Sequence, residues 1–303
     1  MNPSFEDAVH LTDGGLETTL IYHDGLDLPD FAAFTVLATD EGRAALAAYY
    51  NAYLEVAESH GLPIVLDTPT WRASSDWGTR LGYSTEQLAD ANRESVEFLR
   101  NVCAGRTARV VISGSLGPRG DGYVAGHAMS TADARDYHAT QIETLTGAGV
   151  DVISAITMTY AAEAAGIALA AQHAGIPIVL SFTVETDGTL PSGQQLGEAI
   201  AQVDAETGSV PIHYMVNCAH PTHFGHVLAD TPRGRVRGVR VNASAKSHAE
   251  LDESAELDMG DPSTLADDVA GLRGRGADLT VFGGCCGTDH RHIDALAAAV
   301  AAG

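Results

Sequence analysis

The sequence predicts an α/β fold, a (β/α)8 TIM barrel, single domain, on three observations. Short apolar runs recur eight times, most of them followed by an alanine-rich stretch with helical periodicity. The runs are mostly β-branched and nearly continuous in hydrophobicity, as parallel strands covered on both faces must be. Polar and glycine-rich residues collect where the runs give way to the following helices, the rim that carries function in such a barrel. Eight such units fill one domain over residues 1–303. A doubly wound open sheet is the structural alternative, but it rarely needs so many regular units.

In chain order the runs are His10–Thr18, Leu62–Thr70, Arg109–Gly117, Val150–Met158, Ile176–Val184, Val210–Cys218, Val236–Ser244 and Leu279–Gly287. Helical stretches between them include Thr39–His60, Thr85–Ala104, Thr131–Ala148, Tyr160–Ala174 and Gln195–Glu206. Thr39-Asp40-Glu41, Ser84-Thr85-Glu86 and Ser130-Thr131-Ala132-Asp133 open three of them with residues suited to capping free amides. Gly61 and Gly175 close two of them just before the next strand. The polar insertion Lys246–Pro262, after the seventh strand, predicts a loop over the mouth, with Lys246 and His248 closing over substrate.

The charge balance narrows the partners. Seventeen basic residues against 40 acidic ones give a net charge of -23, which repels nucleic acid and anionic lipid. A cationic small molecule would be attracted. The N-terminus has no basic start and no apolar run, and no apolar segment approaches the ~20 residues that span a bilayer. The expectation is a cytoplasmic protein with reduced thiols.

The cysteines carry the chemistry. The last run stops in Gly283-Gly284-Cys285-Cys286-Gly287-Thr288, and the sixth stops in Asn217-Cys218. Adjacent cysteines on a strand point to opposite faces, so both can face one centre only through a flexible glycine turn. In a barrel both strand ends lie on one rim, where three thiolates converge and leave a fourth position open, as at a catalytic zinc. Spacing alone leaves packed core cysteines, a strained disulfide or a redox pair open, because Cys-Cys is not a CxxC pattern. Cys103 reads as a small core residue on a helix. His213, His220, His223 and His226 flank Cys218; spacing of three suits metal ligands, while solvated positions on an alanine-rich helix are the commoner reading.

Asp13-Gly14-Gly15, Asn217-Cys218 and Gly283-Gly284-Cys285-Cys286-Gly287-Thr288, in this order, resemble the homocysteine S-methyltransferase family over nearly the whole chain. The resemblance implies a barrel in which Cys218, Cys285 and Cys286 hold Zn²⁺, with the sulfur of homocysteine in the open position. The methyl group would come from a cationic donor: S-methylmethionine, S-adenosylmethionine or betaine, depending on the branch. The neutral leaving group needs no general acid, so the lack of a His–Asp pair is no objection. Asp13 resembles the acid that faces the amino end of homocysteine, and Gly14 and Gly15 let backbone approach the ligand. Glu17, Thr68, Thr157 and Asn217 complete the expected substrate contacts.

One position departs from the family. Where it carries a Glu at the end of strand four, this chain has Ile156, and Thr157 and Thr159 offer hydroxyls without charge. A different small thiol or a selenol is therefore the alternative acceptor. A hydrolase or lyase using Cys285 as nucleophile would need a base that no spacing supplies. A non-catalytic zinc or redox sensor would use Cys285-Cys286 as a reversible disulfide. For a sulfonium donor, Trp71, Trp77, Tyr83, Tyr123 and Tyr160 are the candidate aromatic faces, each with packing as its other reading. No stretch reads as a cobalamin- or folate-binding module, and the oligomeric state is not legible.

Overall fold

In the computed structural model, which describes Phe5 and residues 8–254, 256–273 and 278–301, the eight runs become eight parallel strands. They are β1 (His10–Thr12), β2 (Ile64–Asp67), β3 (Val110–Leu116), β4 (Val152–Met158), β5 (Ile178–Thr183), β6 (Tyr214–Ala219), β7 (Val236–Val241) and β8 (Val281–Gly284). Each pairs with its neighbour in sequence, and β8 returns to β1 with His10 opposite Val281, which closes the barrel.

Period-two alternation explains why the runs look hydrophobic throughout. Ile64 and Leu66, Ile153 and Ala155, Leu180 and Phe182, and Tyr214 and Val216 point outward into one continuous core beneath the helices. The residues between them point into the barrel. Val65, Val152, Val179, Met215 and Val281 form a separate inner cluster with Phe5. Two residues further along, the inward positions turn polar: Asp67, Ser154, Ser181 and Asn217, joined by Arg240 of β7. The lower half of the barrel is thus a packed core, and the upper half is a polar cup.

The helices fall where the capping signals put them. Thr39 accepts from the Gly42 amide at 3.0 Å ahead of helix Asp40–His60, and Ser84 forms a capping box with Gln87 ahead of Thr85–Cys103. Gly61 and Gly175 end their helices with φ of 64° and 71°, where a side chain would be strained. Cys103, the last residue of its helix, is half-buried against the core, as expected.

Three expectations are corrected. β1 stops at Thr12 because Asp13-Gly14-Gly15 turns the chain and a helical turn begins at Leu16. β8 stops at Gly284, so both terminal cysteines sit in the turn beyond it. The stretch after Cys218 is no alanine-rich surface helix: it holds one α-helical turn, Pro221–Phe224, which Pro221 opens, and a short 3-10 turn at Leu228–Asp230. His213 lies buried low in the barrel with its ring 5.1 Å from that of Phe5. The insertion does cover the mouth, through a short helix His248–Asp252 capped by Ser247 and Glu250; residue 255 lies outside the described residues. Among the described residues, no helix is long and apolar enough to cross a membrane.

Candidate active site

Cys218 belongs to β6, where strict alternation would turn its side chain outward with Val216. Two local irregularities turn it into the mouth instead. The register to β7 shifts between Asn217 and Ala219, and Cys218 adopts φ of 55°, a left-handed conformation that a cysteine rarely takes. Thr157 of β4 is likewise left-handed, at φ of 67°, beside a register shift toward β5. Asn217 braces the pair: its Oδ1 accepts from the Thr157 amide at 2.9 Å and from Ser181 Oγ at 2.7 Å, while its Nδ2 donates to Thr157 Oγ1 at 2.8 Å. Non-glycine strain of this kind persists only where neighbours over-determine it, and it gathers at functional sites.

The two irregular turns bring three free thiols together. Cys218 Sγ lies 2.9 Å from Cys285 Sγ and 3.6 Å from Cys286 Sγ, too far for a disulfide bond. Among the described residues this is the one group of three His, Cys, Asp or Glu side chains placed to share a metal ion. Tyr123 Oη completes the cluster at 3.2 Å from Cys218 Sγ and 3.6 Å from Cys286 Sγ. Hydrogen bonds from Cys218, Cys285 and Tyr123 hold the Cys286 thiol well below its ordinary value, and hydrogen bonding within the cluster, together with burial, pushes Cys218 well above. A soft, electron-rich donor set of this kind fits zinc.

The turn after β1 and the turn after β8 are knitted together. Gly15 donates to Thr288 O at 3.1 Å and Gly284 donates to Asp13 O at 3.0 Å. A side chain at Gly15 would press within 2.6 Å of the Cys285 carbonyl oxygen, so glycine is required there by the cysteine turn itself.

Beneath the thiols lies a charge cluster that sequence reasoning missed. Arg240 of β7, buried in the cup, forms ion pairs with Asp13 and with Asp67. Burial and the neighbouring Asp67 charge push the Asp13 carboxyl up to about 7, against the pull of Arg240. Asp13 is therefore committed to a cation of the chain itself, and Asp67 keeps one buried oxygen, Oδ1, without a partner. A charged residue in the middle of a predicted strand was the available signal.

These groups line one cavity of about 270 Å³ at the C-terminal rim, a size suited to small metabolites. Asp13, Gly14, Gly15, Glu17, Thr68, Thr157 and the three cysteines all contribute to its wall, as does Ile156. Asn217 does not; it stands behind the wall as the brace described above. Of the aromatic candidates, Trp71 and Tyr123 line the cavity, joined by Tyr22 and Phe31. Trp77 and Tyr83 stand outside it: Trp77 stacks on Arg72 and Tyr83 packs edge-on against Phe34. Tyr160 instead receives the Met129 amide at 3.1 Å. His248 lines the mouth, donates from Nε2 to Cys218 O at 2.6 Å and packs on the Tyr123 ring, whereas Lys246 pairs with Asp258. His220, His223 and His226 bond elsewhere, to Thr222, Ala245 and Asp187.

Six carboxylate residues and two arginines line the cavity, so its field favours a cation. Burial, followed by the charges of Cys285 and Asp13, pushes the Glu17 carboxyl up to about 7. This sets a pH dependence whose sign can be worked out. Glu17 is neutral below pH 7 and anionic above it, so the KM of a cationic ligand should fall severalfold between pH 6 and 8. A raised carboxylic acid also costs the folded state stability as pH rises from its unfolded value, near ~4.3, through 7. Glu17→Gln should therefore flatten the KM profile and lose less melting temperature than the parent between pH 6 and 8. A variant that keeps the parent's KM profile would show that Glu17 does not face the ligand.

Comparison with known proteins agrees with this geometry. The family model described as homocysteine S-methyltransferase matches residues 10–300. The chain is 27% identical to homocysteine S-methyltransferase 4 of Zea mays, over 96% of this chain and 89% of that protein. It is 31% identical to methionine synthase of Mycobacterium leprae over 71% of this chain, which corresponds to only 18% of that longer protein. Among solved structures, the oxidized form of the homocysteine methyltransferase MmuM from Escherichia coli superposes with a TM-score of 0.76 at 21% identity, covering 97% of this chain and 96% of that one.

Proposed function

The chain belongs to the homocysteine S-methyltransferase family and is a methyltransferase enzyme, and from that premise we propose that it moves a methyl group from a sulfonium donor, S-methylmethionine or S-adenosylmethionine, to homocysteine, yielding methionine. The observation that carries the reading is the convergence of Cys218, Cys285 and Cys286 at the mouth of the cavity. These three residues would hold Zn²⁺. Zinc bound there would supply a Lewis acid able to deprotonate an incoming thiol at neutral pH, where a free thiol, with a pKa near ~8.5, is mostly protonated.

The remaining work falls to the walls. The acidic lining favours the cationic donor over neutral competitors. Leu16 and Trp71, with Leu257 of the insertion, put apolar surface on the cavity wall, which would limit water around the reacting sulfur atoms. No side chain has to deliver a proton, since a sulfonium leaves as a neutral thioether. A different small thiol remains the second reading, favoured by Ile156, which offers the acceptor's amino group no charge.

The test is a product assay on zinc-loaded protein, with homocysteine and each donor supplied separately. Methionine from one donor names the donor. Methylation of another thiol but not of homocysteine would move the acceptor, and no methyl transfer with any pair would sink the reading.

A further inference from the structure

Arg72 is a buried cation that makes no ion pair among the described residues. It lies in the turn after β2, is 6% exposed and lines the cavity. Its guanidinium is sandwiched between two indoles, 4.0 Å from the Trp71 centroid and 3.8 Å from that of Trp77. Nη1 donates to Gly120 O at 2.9 Å, while Nε is buried with no acceptor. Asp121 acts on it only from a distance and has its own Oδ1 bound to the amides of Tyr123 and Val124. Burial lowers the pKa of Arg72 to about 10, which leaves it charged at neutral pH.

A buried, hydrogen-bond-deficient guanidinium is costly, and stacking on aromatic faces offsets only part of the cost. The stack also fixes the plane of the fork, and a planar fork matches the paired oxygens of a carboxylate or a phosphate; of the two, the amino-acid substrates of the methyl-transfer reading carry the carboxylate. At the amino end Ile156 is apolar and the buried acids Asp13 and Asp67 share Arg240, so an amino group would meet only carboxylates left over from that pairing, such as Asp67 Oδ1 and Glu17. We propose that Arg72 is the specificity-determining residue that seats the carboxylate of an amino-acid substrate, and that recognition rests on this carboxylate more than on the α-amino group. The inference builds on the methyl-transfer reading, in which acceptor and sulfonium donor each carry a carboxylate.

The experiment uses zinc-loaded protein with steady-state kinetics and titration calorimetry. Three acceptors are compared: homocysteine, 4-mercaptobutanoate, which lacks the amino group, and 3-aminopropanethiol, which lacks the carboxylate. Two donors are compared: S-methylmethionine and trimethylsulfonium. If the acceptor is seated, 3-aminopropanethiol binds ~10–100-fold more weakly than homocysteine and 4-mercaptobutanoate stays within a few-fold of it. Arg72→Gln then raises the homocysteine KM by a similar factor, spares 3-aminopropanethiol, and Arg72→Lys recovers part of the loss. If the donor is seated, the same contrast appears between S-methylmethionine and trimethylsulfonium, with the homocysteine KM unmoved.

Equal losses for all substrates, or no loss for any, would overturn the proposal, as would parent protein that binds the carboxylate-free compounds as tightly as their parents. Binding weakened by Arg72→Gln in a protein that transfers no methyl group would retire the reaction and keep the carboxylate seat. Methyl transfer whose KM values for homocysteine and for S-methylmethionine are both indifferent to Arg72→Gln would do the reverse.

Discussion

Cys286→Ala is expected to empty the proposed zinc site instead of merely weakening it. Purified parent protein should retain about one zinc per chain, and the variant well under a tenth of that. Loss of a direct ligand should exceed the ~10–100-fold penalties typical of outer-sphere changes, so methyl transfer should fall by at least ~10³-fold. Cys286 sits in a turn beyond β8, and it is neither a strand residue nor part of the hydrophobic core. The metal-free variant and the metal-free parent should therefore melt within a few degrees of each other. A variant that keeps both zinc and turnover would remove Cys286 from the ligand set.

Arg240→Met should act on the fold first. Asp13 and Asp67 would be left buried with no cation between them, a change worth about 3–5 kcal/mol. For a chain of this size that corresponds to a fall in melting temperature of about 5–8 °C. Without the guanidinium both carboxyls would prefer their protonated forms. The deficit should thus be larger at pH 8 than at pH 5, and Asp67→Asn added to Arg240→Met should recover part of it. A melting temperature within a degree or two of the parent would mean that the pairing contributes nothing to stability.

These two residues mark what could and could not be read in the sequence. Cys285 and Cys286 were legible because glycines surround them and because the eight-fold pattern put their turn on the same rim as Cys218. Helices such as Asp40–His60 were legible to within a residue, since caps and glycine stops are local chemistry. Arg240 was hidden, because its partners lie 173 and 227 residues away and nothing near it in sequence announces them. Arg72 was hidden for a different reason: near two tryptophans it reads as ordinary polar loop, and only the folded chain shows that, among the described residues, no acid pairs with it. Asn217, expected among the substrate contacts, is absent from the cavity wall and uses its side-chain amide to hold Thr157 and Ser181, bonds that only the folded chain displays.

The route of the chain through the thiol cluster has a bearing on how the barrel is assembled and lost. Cys218 and Cys285 are separated by 67 residues, and β7 runs between their strands. The three sulfurs can meet only once β8 lies against β7, and β8 also carries the pairing to β1 that closes the cylinder. A cation held by all three would thus be an interaction that forms only when the last strand is in place. Interactions made only in the finished structure slow its unravelling without hastening its formation. Metal at this seam would act as a kinetic latch: refolding rates would be insensitive to it, while the half-life of the closed barrel would lengthen with occupancy.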